Sequence, residues 1–580
     1  MKKFILLAYC LLPAAFFSFA QWNSNPAINT SVCVQANDQQ DVRIVTDNKG
    51  GAIITWLDFR NDVTQTSGDI FVQRIDKNGF AKWTASGVAL CTITGNQTAP
   101  TIVEDGNGGA IIAWNDYRNI NADVYAQKID SSGNVLWTAN GIPVVVKASA
   151  QQDSKLIADG AGGAIVVWQD SAGGTWDVFA QRISSTGTSM WTSTGVAVCT
   201  AGNSQINPRI ETDGNGGAII VWQDKRNGAD YDIYSQRVNA TGVAQWAANG
   251  VYTASVIGTQ SNPKIEPDGA GGAIVAWQDK RNNADYNIYA QRINSSGVNQ
   301  WATNGVVVCS AANSQSAIDL VSEGISGAII TWKDERSGNF DIYSQMINLS
   351  GAVQWAANGV AIATGTAPQY NPNIVEDGSG GAIIVWQDSS SGNWDVKSQR
   401  IDGNGAVLWT VGGVAVGTAA ANQTSPKNVS DGNGGCIYAW QDKRNTLNFD
   451  IYAQRILSDG TIASVNEFNV QSSMFQVYPN PNKGQFQIQV GNGHGSTPLT
   501  TGLAVGKEYK IEIYNVMGEK VYSSQLPVDS GQLLNATNNY PLTTITLDVP
   551  SGLYFYQITT DEKQLTTNNI VSTGKFMIIE

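Results

Sequence analysis

The chain has 580 residues, a formal net charge of −13 and only 14% charged residues, against roughly 25% in an average globular protein. It carries 60 Gly, 18 Trp and one His, His494. No Ser-His-Asp triad or multi-histidine metal site can be assembled before that residue, so an enzyme would have to use carboxylates, Tyr, Lys or Arg. The acidic balance argues against nucleic acid or an anionic membrane as partner.

Residues 1–20 read as a signal peptide. Lys2 and Lys3 precede the apolar run from Phe4 to Phe17, and Ser18 and Ala20 place small residues before a cut at Gln21. Cleavage takes the net charge to −15. No other apolar run approaches the roughly 20 residues of a membrane span. The chain is expected to be exported and not membrane-spanning.

From residue 21 onward internal repetition dominates. One unit reads NPRIETDGNGGAIIVWQDKRNGADYDIYSQRVNATGVAQWAANGVYTAS. Its anchor is the Trp of a W-x-D triplet: Trp56, Trp114, Trp168, Trp222, Trp277, Trp332, Trp386 and Trp440, at intervals of 54 to 58 residues. Each unit holds about four short apolar segments separated by turns such as D-G-x-G-G, where Gly supplies the positive φ of hairpins. Alternating aliphatic and polar positions fit half-buried strands. Four strands per unit and eight units predict an all-β, eight-bladed β-propeller over residues 21–456.

A second Trp series runs Trp83, Trp137, Trp191, Trp246, Trp301, Trp355 and Trp409. The last unit has Thr461 and Ile462 in that slot, while Trp22 stands alone at the start. Residues 21–34 are therefore expected to supply the outer strand of the last blade and close the ring.

Residues present in every unit are expected to be scaffold: the W-x-D Asp series from Asp58 to Asp442 and the Gln series from Gln73 to Gln454. Cys33, Cys91, Cys199 and Cys309 each lie 23 residues before a W-x-D Trp. Equivalent slots of separate repeats are held apart, which predicts buried free thiols. The loops with Asp224, Asn227, Asp230 and Asp232, and with Asp279, Asn282, Asp285 and Asn287, crowd oxygens as a calcium site would. Arg226 and Arg281 compete for those carboxylates.

Function is expected on the face carrying the loops after W-x-D. Arg226, Arg281, Tyr231 and Tyr286 lie there. Blades three and seven read QDSAGGTWD and QDSSSGNWD; both lose the Arg and place Trp176 or Trp394 in the aromatic slot. In an eight-membered ring the two are opposite. They could fill the space left by the Arg, or form stacking platforms for a glycan or protein ligand. No acid stands out from the repeat as a catalytic pair would. A binding protein is the first reading, a structural surface component the second, and a carboxylate-based glycan-active enzyme the last.

Residues 457–473 read as a linker, and 474–580 differ in composition. VYPNPNKGQFQIQV (477–490), YKIEIYNVMGEKVYSSQL (509–526), LDVPSGLYFYQITTDEKQ (547–564) and GKFMIIE (574–580) resemble, in order, the motifs of the type A C-terminal sorting domain of type IX secretion substrates in Bacteroidota. The matching positions are Pro479, Asn480, Pro481 and Gly484, then Tyr514, Asn515 and Gly518, then Gly552 and Tyr554. The resemblance implies a small Ig-like β-sandwich, type IX secretion machinery as partner, and a cargo released from the cell or held at the outer-membrane surface. It implies nothing about what the propeller binds. The chain departs from the pattern by insertions near 491–507 and 530–541, the first holding His494, and by ending in Glu580.

Overall fold

The structure, a computed structural model, describes residues 22–463 apart from 283, 325 and 326, and seven strands between 475 and 578. The expected signal peptide, His494, Pro479, Asn480, Pro481, Gly484 and Gly518 lie outside the described residues. The chain divides into two compact units, Met1–Ser464 and Val465–Glu580.

The first unit is eight four-stranded antiparallel sheets. The fourth shows the plan: inner strand Gln205–Thr212, second strand Ala218–Asp224, third strand Asp232–Val238 and outer strand Val251–Ala254. Inner strands of successive blades adjoin, and the first, Gln39–Thr46, adjoins the last, Gln423–Ser430, so the sheets form a closed ring. The chain is an eight-bladed β-propeller.

The turns explain why each unit folds this way. Asp213 Oδ1 accepts the amides of Asn215 and Gly217, both at 2.8 Å. A Cβ on Gly217 would stand 2.3 Å from the Val238 carbonyl oxygen, so only glycine allows the third strand to pass. The second strand departs from the alternation expected of half-buried strands: all seven residues of Ala218–Asp224 are buried. Each sheet is sandwiched between two others, and a strand covered on both faces becomes a continuous apolar run. The cores accordingly lie between blades. One joins Val167 and Val178 of the third blade to Ile220 and Trp222 of the fourth.

Closure follows the expected route. Thr30–Cys33 pairs with the third strand of the last blade, Thr30 opposite Ala453 and Cys33 opposite Ile451, across a bulge. That register repeats in the intact first blade, Val88 opposite Val72 and Cys91 opposite Ile70. Trp22 is buried, and its indole donates to the Lys77 carbonyl at 2.8 Å, just as Trp83 donates to Ser131 at 3.2 Å. In all eight blades this second Trp reaches the hairpin of the following blade. The repeat runs on past 456: Ile462 bridges to Ile456 and Ala463 is buried in the core. Seven of the residues expected as linker thus belong to the last blade.

The second unit holds two antiparallel sheets. One orders Phe475–Tyr478, Gln485–Val490 and Thr543–Thr546. The other orders Lys520–Leu526, Tyr509–Asn515, Gly552–Thr560 and Ile570–Ile578. Tyr514, Asn515, Gly552 and Tyr554 lie on its two central strands, with Asn515 opposite Tyr554. No helix among the described residues is long and apolar enough to cross a membrane.

Candidate functional site

The W-x-D triplet builds a ladder at the loop end of six of the eight blades. In the fourth, the Trp222 indole donates to Asp224 Oδ2 at 2.7 Å. Arg226 grips both oxygens of that carboxylate, at 2.9 and 2.6 Å, and donates to the Asn249 carbonyl. Its guanidinium lies 3.7 Å above the Tyr234 ring, which stacks on Trp222. Cys199 Sγ sits 3.2 Å from Arg226, and burial pushes its thiol up to about 12. All five described cysteines are buried and free, and thiols held protonated in this way are unreactive. Gly250 is required beside the ladder, because at φ +84° a Cβ there would meet Trp222 at 2.5 Å.

Arg281 repeats the arrangement with Asp279, Asn304 and Tyr289. The guanidinium groups of Arg226 and Arg281, expected on the binding face, are thus engaged by their own blades. The Asp224 carboxylate is saturated as well, and Asn227 Nδ2 donates to Asp232 rather than offering an oxygen. Among the described residues no group of three or more His, Cys, Asp or Glu is placed to hold a metal ion.

Tyr231 and Tyr286 are half-buried on the loop face, each with a Lys ammonium 5.5 Å from its ring. Their carbonyls accept the first inner-strand amide of the next blade at 2.7 Å.

Blades three and seven break the ladder, but not as the sequence suggested. The place of the missing Arg is taken by a lysine, not by Trp176 or Trp394. Lys147 pairs with Asp170 at 2.8 Å and lies 4.3 Å over Phe179. Lys397 pairs with Asp388 at 3.1 Å. Both rearrangements leave the buried indole N–H of Trp168 or Trp386 without a partner.

Trp176 and Trp394 are both half-buried, yet their surroundings differ. Trp394 meets the edge of Tyr370 at 5.2 Å, and Tyr370 meets Phe340 of the preceding blade at 5.0 Å. The Lys333 ammonium lies 4.0 Å from the Phe340 ring and 4.8 Å from that of Tyr370. Trp176 enters no such ring contact among the described residues. Sequence reasoning missed Tyr370 and Lys333. Their signal was available: Tyr370 is the only aromatic at the second inner-strand position, and Lys333 the only lysine inside a W-x-D triplet.

The cluster borders the central channel. Every inner strand carries a bulge whose first residue is left-handed without being glycine: Asp41, Ala99, Asp153, Asn207, Asn262, Ala317, Asn371 and Ser425, at φ 49–57°. Bulges re-aim the side chains beside them. Two residues beyond each bulge stand Arg43, Thr101, Lys155, Arg209, Lys264, Asp319, Asn373 and Lys427. A cavity of about 580 Å³ opens there, lined among others by Arg43, Arg209, Lys264, Lys333 and Lys427. Arg43 pairs with Asp41 at 2.7 Å, Lys155 with Asp153 at 2.5 Å and Lys264 with Asp319 at 3.0 Å. Among the described residues Lys427 hydrogen-bonds only the Asn373 amide oxygen, at 2.6 Å. Burial within the ring, reinforced by Arg43, pushes the Lys427 ammonium down to about 7. Burial also lowers Arg209, against the pull of Asp153, and lowers Lys333.

The tail decides the export route. Residues 476–572 match the family described as secretion system C-terminal sorting domain. The chain is a type IX secretion substrate with a propeller cargo. Its sorting tail directs it out of the cell, to the surface or the medium. No curated protein matches the chain. Among solved structures the propeller is similar to a eukaryotic initiation factor, at 10% identity and TM-score 0.40, over 74% of this chain and 88% of that one. It is also similar to an endo-arabinase from Bacteroides thetaiotaomicron, at 14% identity and TM-score 0.27, over 48% and 97%. A third likeness is to an alpha-L-arabinanase from Penicillium chrysogenum, at 12% identity and TM-score 0.31, over 53% and 93%.

Proposed function

We propose that this type IX substrate is an exported binding protein whose propeller takes a glycan on its loop face, between blades six and seven. The observation that carries the reading is the Phe340–Tyr370–Trp394 cluster beside the channel mouth. Tyr370 and Trp394 depart from the repeat, and the three rings are half-buried rather than core and lie beside a cavity of small-ligand size. Aromatic faces beside polar groups suit sugar rings. Trp176, Tyr231 and Tyr286 lie on the same face, outside this cluster. The test is a glycan array probed with the mature full-length protein and with Tyr370→Ala, Trp394→Ala and Trp176→Ala. Binding lost in the first two and kept in the third supports the reading. Binding that survives Tyr370→Ala combined with Trp394→Ala removes it.

A hydrolytic reading is favoured by one observation. Glu211 and Glu266 follow Arg209 and Lys264 by two residues on adjacent inner strands, and so share their side of the strand. Burial raises Glu211 to about 7, and burial with the Glu211 charge raises Glu266 well above the usual range. A carboxyl kept protonated near neutrality is the acid a glycosidase needs. New reducing ends from a bound glycan, abolished in Glu211→Gln, would establish this second reading.

A further inference from the structure

The chain carries a formal net charge of −13, yet the mouth of its channel is lined by cations. Five cations line one cavity: Arg43, Arg209, Lys264, Lys333 and Lys427. Two of them, Arg43 and Lys264, are matched by carboxylates at 2.7 and 3.0 Å. The other three are not matched in this way. Asp153, the carboxylate nearest Arg209 at 3.9 Å, is already held by Lys155 at 2.5 Å. Lys333 faces two aromatic rings, and Lys427 an amide oxygen. Enclosed cations with no carboxylate of their own in close contact are unfavourable to fold, so the scaffold holds them at a cost that an incoming anion would offset. They remain reachable: the Arg209 side chain keeps 24% of its surface open, and Lys333 and Lys427 are half-buried.

We infer that the channel mouth is an anion subsite, and that the glycan taken by the neighbouring aromatic cluster is a short acidic one, bearing a carboxylate or sulfate. The inference rests on the binding reading above and adds the charge of the ligand to it. Arg209 supplies a planar fork and Lys427 and Lys333 supply point charges, the combination that oxyanions recruit. Lys333 joins the two parts, since it lines the cavity and also lies against Tyr370. The net negative charge disfavours long polyanions, but its field falls off over about 8 Å at physiological salt. A short acidic saccharide entering the ring meets the cations instead.

Calorimetric titration of the mature full-length protein with trigalacturonate, a sulfated disaccharide and cellotriose tests this. Either acidic sugar should bind at least about tenfold more tightly than the neutral one, and the two acidic arms tell carboxylate from sulfate. Lys427→Met with Arg209→Met should weaken the acidic ligand by about tenfold per cation removed and leave the neutral sugar unchanged. Lys427→Arg should restore binding. Removing confined like charges should leave the melting temperature equal or higher, so loss of binding would not reflect unfolding. Should the double variant fail to fold, competition by inorganic sulfate against the acidic sugar on the wild-type protein gives the same answer, and absence of competition overturns the subsite. Equal affinity for neutral and acidic sugars overturns it too and leaves the binding reading standing. If no saccharide binds, both fall.

Discussion

The second and inner strands of each blade are neighbours in one sheet, and they obey different rules. The second strand hardly changes from blade to blade: Ala218–Asp224 reads AIIVWQD, Ala273–Asp279 AIVAWQD and Ala382–Asp388 AIIVWQD, all buried throughout. The inner strand keeps its bulge but varies beyond it, where Arg43, Thr101, Lys155, Arg209, Lys264, Asp319, Asn373 and Lys427 occupy one position. The difference lies in what each strand touches. A second strand packs against two closely similar neighbours, so any change must be accommodated on both faces. The inner strand has one edge on the channel, where packing imposes nothing and chemistry can differ. Repetition marks the scaffold here, and departure from it marks candidate function.

The comparison can be broken most directly in the ladder. Trp222→Ala should cost about 3–5 kcal/mol, because it empties a fully buried site and leaves Asp224 facing Arg226 without the indole. A urea melt of the mature chain measures it, and a loss below about 1 kcal/mol would show that the ladder is dispensable. Ring closure comes next. Trp22→Ala and Trp83→Ala should lower stability by similar amounts, about 3 kcal/mol each, since both indoles are buried and bond the next hairpin. A silent Trp22→Ala beside a damaging Trp83→Ala would mean that the N-terminal strand does not hold the ring.

Smaller effects are expected from the exceptional tryptophans. Trp394→Ala and Trp176→Ala should each change stability by about 1 kcal/mol or less, being half-buried, while only the first should impair glycan binding. A drop as large as that of Trp222→Ala would return Trp394 to the scaffold.

A pH dependence is expected as well. Lys427 is held near 7 by burial and by Arg43 and Lys264, against Asp319 and Asp41. The unfolded chain therefore binds the extra proton between about pH 7 and 10.5, and the wild type gains stability as pH rises through that window and loses it as pH falls toward 7. Melting temperatures at pH 7 and 9 should differ less in Lys427→Met than in the wild type. Equal slopes would place the Lys427 ammonium in an ordinary solvated setting.

Export is separable from all of these. Removing residues 476–572 should leave a folded propeller inside the cell envelope, read by fractionation. Propeller found outside the cells would deny the tail its sorting role.

Much of this was legible in the sequence, because a repeat exposes its own geometry. Periodic Trp residues located the blades, and Trp22 at one end with Thr461 and Ile462 at the other showed where the ring joins. Recurrence also marked Asp224 and Gln236 as scaffold, and the Gln236 amide indeed ties the Trp246 amide to the Ala247 carbonyl. The site was less legible. QDSAGGTWD and QDSSSGNWD look equivalent as strings, yet only Trp394 stands beside a Tyr at the second inner-strand position of its blade. Arg226 and Arg281, attractive as exposed donors, turned out to be closed into their ladders.

The sequence alone determined the strand count, the blade number and the closing strand, since each follows from local pattern and spacing, and the motifs of its last fifth resemble those of a sorting tail. Only the tertiary structure decided which residues meet across blades. It gathered Lys333, Tyr370 and Trp394, some 60 positions apart in the chain, into one patch. It also turned five widely spaced cations of an acidic protein toward a common cavity. Ring closure is the physical reason: it brings the same edge of every inner strand to one axis, where side chains that are far apart in sequence share one field.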